Sequence, residues 1–299
     1  MHRSRLLERT RLNISCAGLL LGICKVVAAQ TGPDLAENNS SLAGTATTDT
    51  HSAAKAPCNT EGQKAKLHIY LLLGQSNMYG RGALEPQDRT PHPRVLLFTS
   101  SNQWISAVEP LHGHGPRAGI GPGLAFGKAL VASNTNAAIG LVPCALGASE
   151  LRRWERGGDL YSNALARATA AMRDGTLAGI LWHQGEQDSM TETNSNTYHH
   201  RLAKMIGDIR TDLAKPELPF VVGQIGEFLY NRRVQQTPFA RLVNNALARI
   251  PAQVPHTACV PSTGLTHVGD EVHFDGRSQR ELGRRYAEEM LRLQAAKSF

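Results

Sequence analysis

Two segments far apart in the chain carry the residue types of nucleophilic catalysis. Ser76 stands in a turn directly after an apolar run, Leu67 to Leu73, and Asp270 precedes His273 by three residues near the other end. A serine hydroxyl is a weak nucleophile until an imidazole removes its proton, and a carboxylate on the other ring nitrogen fixes the imidazole tautomer. The two segments together predict a Ser-His-Asp triad that the fold must assemble.

Both segments also have a structural interpretation. Most serines in turns bond only the local backbone, and Asp270 and Asp275 suit turns and helix caps. His273 would then be a surface histidine. The order Ser…Asp…His does not decide between the interpretations, because triads are recognised by geometry and not by sequence order.

The run before Ser76 predicts a buried strand, which would place the hydroxyl at the carboxyl edge of a sheet, where open α/β folds bind ligands. Strand and helix patterns alternate along the rest of the chain, and such alternation predicts a mainly parallel sheet with helices on both faces. The strand candidates are Leu67–Leu73, Val95–Phe98, Ala138–Val142, Gly179–Trp182, Phe220–Gly223 and Thr257–Val260; the clearest helical patterns are Tyr198–Leu213 and Leu282–Leu293.

Four blocks in order resemble a known superfamily. They are GQSNM after the first strand, PCALGAS (Pro143–Ser149), WHQGEQD (Trp182–Asp188) and DEVHF (Asp270–Phe274). The chain from about Lys66 to Leu293 resembles the SGNH hydrolases, and within them the carbohydrate esterase family 6 and sialate O-acetylesterase-like group, which includes plant carbohydrate esterases. This resemblance implies a three-layer α/β/α sandwich and the removal of acetyl groups from sugar hydroxyls.

The resemblance also implies roles for individual residues. Ser76 matches the nucleophile, His273 the base and Asp270 its acid partner. The backbone N–H groups of Ser76 and Gly147, with the side-chain amide of Gln184, match the oxyanion hole, where losing one donor typically costs roughly 100- to 1000-fold in rate. Glu186 is an alternative acid, because some relatives use that position; we expect Asp270.

Three positions near these blocks bear on the shape of the site. Relatives often have GGT where this chain has Gly147-Ala148-Ser149, and we expect Ala148 not to adopt the positive φ that glycine allows. His183 stands where relatives often have an aromatic residue. Trp154 has two interpretations: its indole stacks on a sugar ring of the substrate, or it packs in the core as large aromatic residues usually do.

The composition predicts a secreted globular enzyme. The chain has 299 residues and is 41% hydrophobic, enough for one α/β domain, which we place at 63–299. Residues 1–29 show the basic, apolar and small-residue order of a signal peptide; an organellar transit peptide and an uncleaved anchor are the alternatives. The apolar stretch Ile14–Cys24 is shorter than the roughly 20 residues that span a bilayer. Residues 30–62 read as a disordered linker.

Charge and histidine spacing limit the partners and cofactors. The net charge is +7, but residues 1–29 hold five basic and one acidic side chain, which leaves only +3 for the remainder and does not indicate nucleic-acid binding. The pairs His112/His114 and His199/His200 lack a third ligand at metal spacing, so we expect no metal and no other cofactor. The oligomeric state is not readable from the sequence.

After the leader, Cys58, Cys144 and Cys259 remain. Because three is odd, at most one internal disulfide forms, and Cys58 with Cys259 is the favoured pair. The predicted function is a metal-independent serine esterase that acts on O-acetylated carbohydrate. The alternatives are a non-catalytic carbohydrate-binding protein on the same fold and a lipolytic SGNH esterase.

Overall fold

The protein's structure, a computed structural model, describes residues 66–133, 136–232 and 236–296. The predicted signal peptide, the predicted linker and Cys58 lie outside these residues, so the expectations for them stay predictions.

A single sheet organises the described residues. Its strands are β1 (Lys66–Gly74), β2 (Val95–Phe98), β3 (Trp104–Ser106), β4 (Ala137–Pro143), β5 (Thr176–His183), β6 (Phe220–Gly223) and β7 (Thr257–Val260). Within the described ranges the sheet has seven strands in the order β3-β2-β4-β1-β5-β6-β7, all parallel except β3, which pairs antiparallel with β2. Strand β1 is therefore central, with β4 and β5 as its neighbours.

Helices connect the strands. They are α1 (Ser76–Tyr79), α2 (Gly123–Ser133), α3 (Asp159–Ala171), α4 (Glu192–Asp212), α5 (Ala240–Gln253) and α6 (Gly276–Ala295), with short 3₁₀ turns at Pro86–Asp88, Leu151–Arg153, Asp188–Met190 and Glu227–Asn231. Helix α6 includes the predicted pattern Leu282–Leu293 and begins directly after Asp275, which caps it: Oδ1 of Asp275 accepts a hydrogen bond from the amide of Ser278 at 2.8 Å.

The core has two parts, one on each face of the sheet. Because side chains alternate along a strand, Ile69, Leu71 and Leu73 of β1 pack with residues of α3, α4 and α5, whereas Tyr70 and Leu72 pack with residues of α2 and α6. This arrangement confirms the predicted three-layer α/β/α sandwich.

The predicted strands agree with the structure, and only β3 was missed. It has three residues, and its partly exposed Trp104 lies against Phe98 of β2 with ring centroids 4.7 Å apart. So short an antiparallel edge strand has no periodicity that the sequence could reveal. Among the described helices, none has the length and apolar character needed to cross a membrane.

Candidate active site

Ser76 lies directly after the central strand, at the carboxyl edge of the sheet. The chain leaves β1 at Gly74, whose φ is 137° and whose β-carbon, if it had one, would lie 2.0 Å from the carbonyl oxygen of His183. The amide of Gln75 then donates to that same carbonyl at 3.0 Å. The close contact with β5 therefore requires glycine and sets where Ser76 begins α1.

The imidazole of His273 lies between a hydroxyl and a carboxylate. Its Nε2 is 2.9 Å from Oγ of Ser76, and its Nδ1 is 2.6 Å from Oδ2 of Asp270. Ser76 is only 7% exposed, whereas the side chain of Asp270 is 41% exposed. The fold thus brings together three groups from segments 197 residues apart in the chain.

Asp270 organises its own loop. Its Oδ1 accepts hydrogen bonds from the amides of Val272 and His273, each at 2.8 Å. Partial burial alone would raise the pKa of Asp270, but the hydrogen bonds from the His273 ring and from these two amides outweigh it and hold the pKa well below its usual range. The carboxylate is therefore charged at neutral pH and can orient the imidazole.

Asn77 joins the nucleophile to the loop that carries the histidine. Its Oδ1 accepts from the amide of Phe274 at 3.0 Å, and its Nδ2 donates to the carbonyl of Val272 at 3.0 Å and to Oε1 of Glu186 at 2.5 Å. Val272 and Phe274 flank His273. The residue next to Ser76 therefore holds the backbone on both sides of His273.

Glu186, the alternative acid, lies nearby but binds elsewhere. It is buried, its Oε1 accepts from Asn77, and its Oε2 has no hydrogen-bond partner among the described residues. Burial raises its pKa, opposed by the Asn77 hydrogen bond. In this structure the imidazole of His273 bonds to Asp270, and Glu186 bonds to Asn77.

Two backbone amides, those of Ser76 and Gly147, are the candidates for the predicted oxyanion hole. Among the hydrogen bonds of the described residues, none is donated by the amide of Ser76 or of Gly147. A β-carbon placed on Gly147 would have a single described atom beyond its chain neighbours within 4 Å, Nη2 of Arg81 at 3.2 Å. The guanidinium of Arg81 is held by the carbonyl of Gly80 at 3.0 Å and by the ring of Tyr79, 4.8 Å away. The space before Gly147 is thus open and bordered by a cation.

Comparison with known proteins gives the family of this chain. A family model described as carbohydrate esterase, sialic acid-specific acetylesterase matches residues 66–292. The chain belongs to this family. It is therefore a carboxylic ester hydrolase of the carbohydrate acetylesterase type, as the four sequence blocks predict.

Individual relatives support the assignment. A probable carbohydrate esterase of Arabidopsis thaliana is 30% identical over 236 residues, which cover 72% of this chain and 86% of that relative. A solved Arabidopsis thaliana structure superposes with a TM-score of 0.69 at 29% identity and covers 76% of this chain and 98% of its own. A carbohydrate acetylesterase from Xanthomonas citri shares the fold, with a TM-score of 0.59 at 20% identity over 76% of this chain and 56% of that one.

The prediction for Gln184 is wrong in this carbohydrate esterase. Its side chain is fully buried, and its Nε2 donates to the carbonyl of Ser149 at 2.9 Å and to Oδ2 of Asp188 at 2.7 Å. Its Oε1 accepts from the hydroxyl of Tyr198 at 2.9 Å. Because both amide hydrogens are used inside the protein, Gln184 supports the loop after Gly147 and offers no donor to a bound ester.

The sugar-stacking interpretation of Trp154 is also wrong. The side chain is 1% exposed, and its Nε1 donates to Oγ of Ser149 at 3.0 Å. Its ring meets Trp182 edge-on, with centroids 5.4 Å apart. A sugar could reach this indole only if the core opened, so the packing interpretation holds.

Ala148 and His183 are the two other positions at which this chain differs from the pattern of its relatives. Ala148 does adopt a positive φ, 53°, although its β-carbon disfavours the left-handed region. His183 is buried, and its Nδ1 lies 3.1 Å from the hydroxyl of Tyr286. Burial lowers the pKa of His183 to about 3, so it is neutral and serves as a packing residue beneath the site.

The described cysteines form no disulfide with each other. Cys144 and Cys259 are both free thiols within the described residues, and burial raises the pKa of Cys144 to about 11. Pairing of Cys259 with Cys58 stays a prediction, since Cys58 lies outside the described part of the chain.

Sequence reasoning missed the importance of Asn77 and Arg81. Both belong to the first block and its continuation, GQSNMYGR, so proximity to Ser76 was the available signal. Their partners, at the loop around His273 and at Gly147, are distant in sequence. Only the fold shows those contacts.

Proposed function

We propose that this esterase removes O-acetyl groups from carbohydrate with Ser76 as nucleophile, His273 as general base and Asp270 as the orienting acid. One observation carries the proposal: a single imidazole lies within hydrogen-bond distance of both Ser76 Oγ and Asp270 Oδ2. In this arrangement Nδ1–H donates to Asp270, which leaves Nε2 free to accept the serine proton.

The first half-reaction forms an acetyl-enzyme. Oγ of Ser76 attacks the acetyl carbonyl carbon while Nε2 of His273 takes the hydroxyl proton. The bond between that carbon and the sugar oxygen then breaks, and the imidazolium returns the proton to the leaving sugar hydroxyl. Asp270 stays ionised and stabilises the imidazolium.

The second half-reaction reverses these roles. His273 takes a proton from water, the hydroxide attacks the acetyl carbon, and the bond to Ser76 Oγ breaks as the proton returns to the serine. The products are acetate and the free hydroxyl of the sugar. All groups in the site return to their starting state.

The amides of Ser76 and Gly147 are the proposed oxyanion donors. Both lack other acceptors among the described residues, and preorganised donors of this kind stabilise the charge of a tetrahedral intermediate. Gln184 has no place among these donors, because its side-chain amide donates to Ser149 and Asp188. The guanidinium of Arg81, beside Gly147, is a charged group that could contact the sugar or the ester.

Ser76→Ala tests the mechanism. We expect acetate release from acetylated carbohydrate to fall at least about 10⁴-fold, because the nucleophile is lost while the fold is kept. The control is Ser262→Ala, which removes a second buried serine hydroxyl that bonds to the carbonyl of Ile225 and not to a triad residue. Activity of Ser76→Ala within tenfold of the parent would exclude a serine mechanism.

The acyl chain length separates this function from a lipolytic one. Acetyl, butyryl and octanoyl esters of one alcohol are compared by kcat/KM. A carbohydrate acetylesterase prefers the acetyl ester, whereas a preference for octanoyl would favour the lipolytic alternative.

A further inference from the structure

The loop that carries Asp270 and His273 is hydrogen-bonded around one further side chain, His267. Nδ1 of His267 accepts hydrogen bonds from the amide of Gly269 at 3.0 Å and from the amide of Glu271 at 3.1 Å. These are the residues on either side of Asp270. The backbone that sets the position of the proposed acid is therefore attached to the imidazole of His267 at both ends.

The tautomer of the His267 imidazole follows from its hydrogen-bond partners. A backbone N–H can only donate, so Nδ1 carries no proton in this arrangement and the ring proton is on Nε2. The edge-to-face contact with Phe228, at 5.1 Å between centroids and an angle of 64°, fixes the plane of the ring. Phe228 in turn contacts Phe274, the neighbour of His273, at 5.2 Å.

The same two amides belong to residues in unusual backbone conformations. Gly269 has a φ of 113° and Glu271 a φ of 60°. Glu271 has a β-carbon, so its left-handed conformation is strained and persists only where surrounding contacts impose it. The hydrogen bond to His267 is such a contact.

His267 is also joined to the backbone around His273. His267 and Phe274 form an isolated antiparallel bridge, and the amide of Val268 donates to the carbonyl of His273 at 2.9 Å. A displacement at His267 would thus shift both Asp270, through the ring, and His273, through the backbone.

We infer that His267 is a positioning residue for the proposed triad, a role that rests on the proposed function. It does not bond to Ser76, Asp270 or the His273 ring; it acts by holding the loop so that the imidazole of His273 meets Ser76 Oγ. A misplacement of about 1 Å in such a group costs on the order of 100-fold in rate.

The experiment compares three variants at position 267. In His267→Asn, Oδ1 occupies nearly the place of Nδ1 and accepts from the same amides, whereas His267→Gln puts its oxygen one bond further out and His267→Ala has no acceptor. We expect kcat for an acetyl ester to fall about 10- to 100-fold in the Ala and Gln variants, with KM within about twofold. The Asn variant should stay within about threefold of the parent.

His92→Ala is the matched control. Nδ1 of His92 also accepts a hydrogen bond from a backbone amide two residues on, that of Arg94 at 3.2 Å, before β2 and away from the triad. The His92→Ala substitution should leave kcat unchanged. All variants are checked for folding by circular dichroism and thermal unfolding.

The outcomes separate the two proposals. If Ser76→Ala keeps the activity of the parent enzyme, the proposed function fails, and the role of His267 fails with it. If Ser76→Ala is inactive but His267→Ala stays within twofold of the parent, or if Asn and Gln are equally impaired, His267 is not a positioning residue. If His267→Ala does not fold, the comparison of kcat between His267→Asn and His267→Gln still tests the inference. A change confined to KM would instead show that His267 contacts the substrate.

Discussion

The two halves of the candidate site are held by different means. Ser76 follows a strand that is hydrogen-bonded to a neighbour on each side and buried between two helix layers. Asp270 and His273 lie on the loop 266–275, outside the sheet, where Asp270 and several neighbours are exposed. The nucleophile is positioned by the whole fold, whereas the acid and base are positioned by a few hydrogen bonds within one loop.

This difference shows where the geometry of the site is vulnerable. Moving Ser76 requires a change in the sheet, so substitutions that leave the protein folded should seldom displace it. The acid–base loop depends on Asp270, Asn77 and His267, each of which contributes two or more of its hydrogen bonds. Substitutions of Asp270 or His267, which lie within the loop, should lower the rate with much less effect on stability, whereas Asn77 is fully buried.

Within the loop 266–275, the largest expected effect concerns the carboxylate of Asp270. Asp270→Asn should reduce kcat by about 10³- to 10⁴-fold, because the amide no longer stabilises the imidazolium or its correct tautomer. Glu186→Gln should cost less than about tenfold, because Glu186 does not contact the imidazole. Steady-state kinetics at pH 7 on both folded variants makes the comparison. If Glu186→Gln lost more activity than Asp270→Asn, Glu186 would be the acid partner of His273.

Asn77→Ala tests the connection between the two halves. It removes three buried hydrogen bonds, so we expect a loss of about 3 kcal/mol in the free energy of unfolding and about 100-fold in kcat. The matched control is Asn244→Ala. Asn244 is equally buried and also makes three hydrogen bonds, to the amide and carbonyl of Ile225 and to the hydroxyl of Tyr230.

Urea unfolding and acetyl-ester kinetics are measured on both asparagine variants. Similar losses of stability with a large loss of kcat for Asn77→Ala alone would support the distinction between sheet and loop. Equal losses of kcat in the two variants would mean that the rate follows general stability and not the anchoring of the loop.

The smallest expected effect concerns the backbone next to Gly147. Ala148→Gly should relieve a left-handed alanine and stabilise the protein by up to about 1 kcal/mol, with kcat within about twofold of the parent. The control is Ala214→Gly, because Ala214 has a φ of 52° and lies after the end of α4. Thermal unfolding of the two variants should give similar shifts. A rate loss in Ala148→Gly alone would show that the strain holds the Gly147 amide in place.

The sequence predicted the elements better than the directions of their side chains. Strand β1, the turn after it and the Asp275 cap of α6 follow from apolar runs, glycine and capping residues, which are local signals. Asp270 and His273 are three residues apart, so their contact could also be predicted from the local sequence. Their approach to Ser76 came only from chemical reasoning and the family resemblance.

The errors share a physical cause. Gln184 follows β5, as predicted, but its amide turns into the α4 layer to bond Tyr198 and Asp188. Trp154 lies close to the site in sequence, yet it packs against Trp182 inside the core. Position along the chain does not reveal which way a side chain points. Ala148 adopts a left-handed conformation that its residue type disfavours, so the residue type alone did not predict it.

The 197 residues that separate Ser76 from His273 have a consequence for how the enzyme is made. During synthesis the serine emerges long before its base, so a growing chain holds no assembled triad until the last helix and the loop before it have docked on the sheet. A fragment that ends before Asp270 would keep the nucleophile and lack every group that activates it. Hydrolysis would therefore begin only when the chain has folded as a whole, and activity itself would report completed assembly.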